Sequence, residues 1–334
     1  MSYSERQLRG ALLEEVILYL LKSSGYAPVI RPDGDPSLQS GVSGLELRGR
    51  GSWHQIDAIA DFKLTPPFSN PQRLLIEAKF ISDSVRLPVI RNAVGVLKDV
   101  SENWIVESIR TNTIAKKRFH YLYAIFSSND FTKPAQDYAY AQDIYLLPLR
   151  RSAYFSPVIR AIEQVKVNTM THPPLHLIRT FLRSRLLHIE RAMTEDQIPR
   201  DLKESLENVI EICGSQNFGF ITMFGGRFPA FLVSSPDFKP SQYSQTINVR
   251  IRWRDQTWFI EDMDDRRIFS FDLPEEIFSL YAVRGEIDRQ VAADIKGSMM
   301  REFYAFYRHN EALQLLRFRM DEAWFETIQR NLRR

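Results

Sequence analysis

The chain has 334 residues, 44% of them hydrophobic and 25% charged, a composition that excludes a disordered or fibrous protein. Lysine and arginine number 44 against 41 for aspartate and glutamate, a net charge of +3. Charge alone therefore does not announce a nucleic-acid binder, whose domain pI often exceeds about 9.

The longest apolar runs, Val16 to Leu21 and Tyr121 to Phe126, fall far short of the roughly 20 residues that cross a bilayer, so no membrane partner is expected. The opening MSYSERQLRG carries charges where a secretory signal needs an apolar segment, which predicts a cytoplasmic protein. Cys213 is the single cysteine. That excludes an internal disulfide framework and a zinc site built from several thiolates. No G-x-x-x-x-G-K-[ST] loop occurs, which argues against an NTP-driven motor.

From Ser4 to Ser24, Leu8, Leu12, Val16, Tyr19 and Leu20 recur at helical spacing, and Gly25 supplies a stop. Strand-like segments Gln55 to Phe62 and Leu74 to Phe80 flank the proline-rich loop TPPFSNPQ. A helix opening near Pro88 follows, with Val89, Ala93, Val96, Leu97 and Val100 on its apolar face. A strand Tyr121 to Phe126, a short helix Ala135 to Ala141 and a strand Ile144 to Leu149 complete a half in which helices and strands alternate. Such alternation implies a sheet covered on both faces.

Beyond Arg150 the pattern changes. Helices are predicted at Leu175 to Ala192 and Leu202 to Ile212. Strands follow near Phe218 to Phe224, Phe228 to Val233, Ile247 to Trp253, Trp258 to Glu261 and Ile268 to Phe271, with hairpin turns at Gly225-Gly226 and Arg254-Asp255. Two long helices, about Asp288 to His309 and Glu311 to Asn331, are predicted to close the chain. The boundary falls between Arg150 and Pro174 and is drawn as domains 1–155 and 156–334, the second of α+β type.

The chemistry is concentrated in GRGSWHQIDAIADF and, after the intervening loop, LLIEAKF. Alternation along a strand puts Asp57, Ile59 and Asp61 on one face, and likewise aligns Glu77 with Lys79. Ionisable groups on a strand with apolar neighbours are costly unless they pair or bind metal. An aspartate beside E-x-K presents two carboxylates and an ammonium to one point. Carboxylate oxygens suit Mg²⁺, which keeps several waters and bridges to substrate phosphate. Phosphodiester hydrolysis is the corresponding reaction, and a structural Glu77–Lys79 ion pair is the plain alternative.

The spacing D-x(19)-E-x-K with a helix in front resembles the PD-(D/E)xK restriction-endonuclease-like superfamily. Within it, the helix LLEEVILYLLKSSGY and the closing segment FSSNDFTKPAQDYAYAQDIYLLPL, with Phe131, Thr132, Ala135 and Ala139 placed as in the family, are similar to Mrr-type restriction endonuclease domains. The similarity covers about residues 4 to 150. It departs from that subfamily in having Glu77 where glutamine is frequent and GSWHQID where a glycine-rich approach is usual.

The resemblance implies an α/β fold, a three-layer α/β/α domain with a mixed central sheet, and a Mg²⁺- or Mn²⁺-dependent DNA endonuclease of the restriction or phage-defence kind. It implies Asp57 and Glu77 as metal ligands, Lys79 as the catalytic lysine and a supporting helix glutamate. Glu14, with Leu18 and Leu21 at i+4 and i+7, is preferred to Glu15 on its more apolar flank. Cutting both strands requires two sites, so a homodimer is expected. A nuclease-like fold that binds or scaffolds nucleic acid without catalysis is the competing reading.

Other residues are weighed more plainly. Asp61 reads as a solvated turn residue and His54 as a capping or packing one. Arg86, Arg91, Lys98 and Lys116-Lys117-Arg118 read as solvated surface with the capacity to touch phosphates. In TINVRIRWRD, Arg250, Arg252 and Arg254 share a strand face. They are candidate phosphate-binding residues for DNA or a small nucleotide ligand that gates a nuclease effector, unless an acid such as Glu261 answers them. Arg179, Arg183 and Arg185, with His176 and His188, form a second basic stripe. His172 and His176 are separated by two prolines and do not form a helical metal pair. REFYAFYRHNEALQLL reads as an aromatic helix for a core or dimer face. The second half is expected to recognise a target, sense a signal or assemble a dimer.

Overall fold

The computed structural model describes residues 3–332 except 43, 110–111, 117, 151, 153–154, 167–172, 190–196, 216–219, 255–256, 275–276, 278–280, 283–286 and 310–311. The chain is mixed α/β and divides into two compact units. The first takes residues 1–150 and 158–213, the second 151–157 and 214–334. The helices after Val158 thus belong to the first unit, beyond the boundary suggested by the sequence. Among the described residues no helix is long and apolar enough to cross a membrane.

The first unit opens with α1 (Glu5–Ser23). Ser4 caps it through a reciprocal box: its hydroxyl accepts from the Gln7 N–H, and the Gln7 side chain accepts from the Ser4 N–H. Gly25, at φ +91, ends it. The central sheet has the order β1 (Tyr26–Val29), β5 (Ala58–Phe62), β6 (Gln72–Lys79), β9 (His120–Ser127), β10 (Ile144–Pro148). The first two pairings are antiparallel and the last two parallel, so the sheet is mixed. A second sheet joins β2 (Leu38–Ser40), β3 (Leu45–Arg48) and β4 (Trp53–Ile56), and a hairpin joins β7 (Ile105–Ile109) to β8 (Asn112–Lys116).

α1 packs on β1, β5 and β6, whereas α2 (Leu87–Ser101) and α3 (Lys133–Ala141) pack on β9 and β10. Ile59, Leu75, Tyr123 and Ile125 share one apolar cluster with Ile90 and Ala93 of α2 and Ala135 of α3. The alternate residues Ala58, Ala60, Leu74 and Ile76 are buried as well, the continuous apolar pattern of strands covered on two sides. After α4 (Phe155–Gln164), α5 (Leu175–Leu182) runs into a π-turn, Arg183–Leu187, and α6 (Arg200–Ser215) follows. α5 and the π-turn pack on α1, which is why α1 is buried on most of its circumference.

Two expectations are corrected here, one for a strand and one for a helix. The segment Gln55 to Phe62 is not one strand: it breaks at Asp57, with β4 pairing to β3 and β5 to β1 and β6. The shared face of Asp57 with Ile59 is therefore lost. Likewise the helix expected to reach Ala192 leaves α-geometry at Arg183, and its last residues lie outside those described.

The second unit is a closed seven-stranded barrel. It runs β11 (Phe220–Phe224), β12 (Phe228–Ser234), β15 (Arg267–Phe271), β14 (Thr257–Glu261), β13 (Thr246–Arg254), β17 (Ala312–Met320), β16 (Glu302–His309). All its pairings are antiparallel except β13 with β17. Gly225 and Gly226, at φ +57 and +71, form the tight turn between β11 and β12. The Arg254-Asp255 turn extends outside the described residues.

The two predicted closing helices are instead α7 (Arg289–Met299), the β16–β17 hairpin and α8 (Glu322–Leu332). The reason is visible in period two: Phe303, Ala305 and Tyr307 are buried, as are Leu316, Phe318 and Met320. Phe303 and Phe318 stack with centroids 5.0 Å apart, and Phe269 meets Phe318 edge-on. An alternating aromatic strand closes the barrel, where a helix would leave half these rings without a core.

Candidate active site

Asp57 lies at the break between β4 and β5, beside the end of β6 that carries Glu77, Ala78 and Lys79. Its Oδ2 accepts a hydrogen bond from the Ala78 N–H at 2.9 Å. Glu77 Oε1 is 2.6 Å from Lys79 Nζ, and Glu77 Oε2 accepts from the Tyr123 hydroxyl at 3.2 Å. The register of β6 against β9, which places Leu75 opposite Tyr123, brings that phenol within reach. Glu77 is nearly buried, with 13% of its side chain exposed, and Lys79 is 32% exposed.

The electrostatics mark one cluster. Burial raises the Asp57 carboxyl above its ordinary value; the Ala78 N–H, Lys79 and Arg179 oppose the rise, and Glu77 adds to it. Burial pushes Glu14 up to about 7, against the pull of Arg179 and with a further push from Asp57 and Glu15. Glu77 and Asp57 likewise add to burial in raising the Tyr123 phenol. An acid at neutrality in such surroundings marks a functional-site candidate.

The helix glutamates separate sharply. Glu14 Oε2 is 2.6 Å from Arg179 Nη2, and Glu14 shares a cavity of about 350 Å³ with Asp57. Glu15 is fully buried and accepts from Arg179 at 3.0 Å and from both Nε and Nη2 of Arg183 at 2.8 Å. Glu14, the helix glutamate preferred from the sequence, is the one that lines the cavity with Asp57, whereas Glu15 is the deeper one, because α5 covers that side of α1 and brings the arginines. Glu77 and Lys79 are not among the residues lining the cavity.

Arg179, Arg183 and Tyr123 are the members that the motif does not contain. The only sequence signal for the arginines is their spacing with His176 at i, i+3 and i+7, which places all three on one helix face.

For a divalent ion, the donor set is two carboxylates with hard oxygens, Asp57 and Glu77. Among the described residues no group of three or more His, Cys, Asp or Glu side chains is gathered to hold a metal. One or two carboxylates plus waters and substrate phosphate is the habit of Mg²⁺. Asp57 and Glu77 are carboxylates close to one strand end, and their hard oxygens fit such an ion.

Neighbouring polar groups have structural partners. His54 Nε2 is 2.7 Å from Asp99 Oδ2, and Asp99 also accepts the Gly51 and Ser52 N–H groups, tying the β3–β4 turn to α2. Asp61 is not a free turn residue: buried Arg73 donates to both its oxygens and to Asp35, and stacks on Phe119 with 3.8 Å from its guanidinium carbon to the ring centre. Arg118 also joins Asp35. Arg86, Arg91 and Lys98 are exposed, whereas Lys117 and His172 lie outside the described residues.

In the second unit Arg250 pairs with Asp265 at 2.8 Å and Asp321 at 3.6 Å. Arg252 pairs with Glu261 and, at 3.0 Å, with Asp265. Arg254 is exposed at the strand end. Acids therefore answer the first two arginines, the plain alternative weighed from the sequence. Lys296, 6% exposed, lies between the rings of Trp258 and Trp324, at 5.8 and 5.6 Å from their centres. Burial, with Arg252 nearby, lowers its ammonium to about 8.

No protein-family model matches the chain, and no curated protein matches it. A solved structure described as a protein of unknown function, AF1548, is 15% identical over 61% of this chain and 98% of its own, with a TM-score of 0.36. A likeness of that size carries no argument about fold or function.

Proposed function

We propose that the first unit is a Mg²⁺-dependent deoxyribonuclease of the PD-(D/E)xK kind, serving restriction or phage defence, with a three-layer α/β/α arrangement of the restriction-endonuclease-like type. The observation that supports it is the hydrogen bond from Ala78 to Asp57, which brings the acid on one strand break beside the E-x-K of the next strand. Asp57 and Glu77 would hold a Mg²⁺ or Mn²⁺ ion, which would supply an acidified water and offset charge on the phosphate.

The chain's own groups do the rest. Glu77 orients Lys79 at 2.6 Å, leaving ammonium protons for the phosphate or the attacking water. Tyr123 fixes the second oxygen of Glu77. Glu14, near neutrality, exchanges a proton at working pH. The second unit is assigned to target recognition, sensing or assembly of a homodimer that cuts both DNA strands in a cytoplasmic setting.

Incubation of the full chain with plasmid and Mg²⁺ is the test. Cleavage that is lost in Asp57→Ala and in Lys79→Ala supports the assignment; cleavage equal to wild type in both overturns it.

A second reading, a nucleic-acid-binding or scaffold protein without catalysis, is favoured by the internal pairing of Glu77 with Lys79 and Glu14 with Arg179. Calorimetry separates the two. Mg²⁺ or Mn²⁺ binding that disappears in Glu77→Ala belongs to the nuclease, and absence of metal binding belongs to the scaffold.

A further inference from the structure

The cavity beside Asp57 has walls of two kinds. One is apolar, with Leu18 of α1, Val29 of β1, Leu45 of β3 and Ile56 of β4. The other is the basic face of α5 and its continuation, His176, Arg179 and Arg183. The acids Glu14 and Asp57 line the cavity as well. A chamber of about 350 Å³ is at the small end of the roughly 300–1,000 Å³ range of small-ligand sites. A volume of that size holds one nucleotide and not a base-paired duplex.

We propose that this cavity is a mononucleotide subsite: the apolar wall receives one base, and His176 and Arg179 of α5 with Arg183 of the π-turn that continues it receive its phosphate. The inference rests on the nuclease reading and names its substrate class. The favoured nucleic acid is one that can deliver a single unpaired nucleotide beside Asp57: a single strand, a flap, a frayed end or a base turned out of a duplex. Apolar walls with a few convergent polar groups suit a base-plus-phosphate ligand. Arg179 is held by Glu14 and Glu15, and Arg183 by Glu15, so the guanidinium groups are oriented before any ligand arrives. His176 is exposed and completes the face.

The test uses the full chain with EDTA, so that binding is read without hydrolysis. Thymidine 5′-monophosphate and thymidine are titrated calorimetrically into wild type, His176→Ala and Ser40→Trp. Ser40 is an exposed cavity-lining residue, and an indole there fills the mouth without entering the core. The nucleotide binds at least tenfold more tightly than the nucleoside; His176→Ala weakens it severalfold, and Ser40→Trp abolishes it. No nucleotide binding at millimolar concentration, or binding indifferent to both substitutions, overturns the subsite. A plasmid assay with Mg²⁺ run in parallel keeps the two ideas apart. Cleavage without nucleotide binding refutes the subsite alone, and binding without any cleavage refutes the nuclease alone.

Discussion

Asp57 Oδ2 accepts the N–H of Ala78, the residue between Glu77 and Lys79, at 2.9 Å. One carboxylate thus fixes the strand end that carries Glu77 and Lys79, and this structural role can be separated from the proposed chemical one. Asparagine keeps an oxygen for the Ala78 N–H and removes the charge; alanine removes both. Asp57→Asn is expected to unfold in urea within about 1 kcal/mol of wild type, whereas Asp57→Ala loses a further 1–2 kcal/mol or so. Both lose plasmid cleavage. Retention of cleavage by Asp57→Asn counts against a metal-binding role for this carboxylate.

Glu14 gives a pH-dependent signature that needs no metal. Its folded carboxyl, pushed up to about 7 mainly by burial, binds a proton more tightly than the ordinary glutamate near 4.3. Between these values the native state holds more protons than the unfolded one, so stability falls as pH rises through the window. Relative to Glu14→Gln, wild type should lose about 1–3 kcal/mol from pH 4.5 to 7.5, read by denaturant unfolding in EDTA. A pH-independent difference between the two proteins refutes the raised carboxyl.

Glu15 and its arginines should behave oppositely. Both oxygens of this fully buried side chain are hydrogen-bonded, to Arg179 and Arg183. Arg183 donates two of the three hydrogen bonds that Glu15 accepts, and its removal leaves Glu15 only Arg179, which Glu14 shares, so Arg183→Ala costs about 1.5–3 kcal/mol. Adding Glu15→Gln to that variant recovers part of the loss, because the under-compensated charge goes with it. A double-mutant cycle with no coupling between the positions contradicts this account.

Much of the first unit was legible because local signals agreed with tertiary packing. The helix start near Ser4, the Gly25 stop and Pro88 in the first turn of α2 lie where the sequence places them. What was illegible depended on partners distant in sequence. The strand break at Asp57 arises because β4 and β5 join different sheets, a choice that no period reveals. Glu15 outranks Glu14 in burial because α5, over 150 residues away, covers it with arginines. The β16 and β17 segments have apolar residues at spacings compatible with a helix as well as a strand, and only barrel closure decides. Even there, Phe303, Ala305 and Tyr307 alternated in plain view.

Lys296 provides a probe of the second unit. Its ammonium is lowered to about 8 by burial and by Arg252, against an ordinary lysine value near 10.4. The sign follows from proton counting: between pH 8 and about 10.4 the unfolded chain binds the extra proton, so stability rises with pH across that window. Below it the full cost of burying a charged amine is present, offset in part by the two tryptophan faces. Lys296→Met keeps the length of the side chain between Trp258 and Trp324 and removes the charge. The variant should be more stable than wild type at pH 7 by about 1–3 kcal/mol. That advantage should shrink as pH approaches 10, measured as the difference in unfolding free energy at each pH. Tyrosines that titrate in the same range are common to both proteins and cancel. An advantage that stays constant from pH 7 to 10, or a variant less stable at pH 7, means that Lys296 is not held as a strained cation and that the cage around it favours the charge.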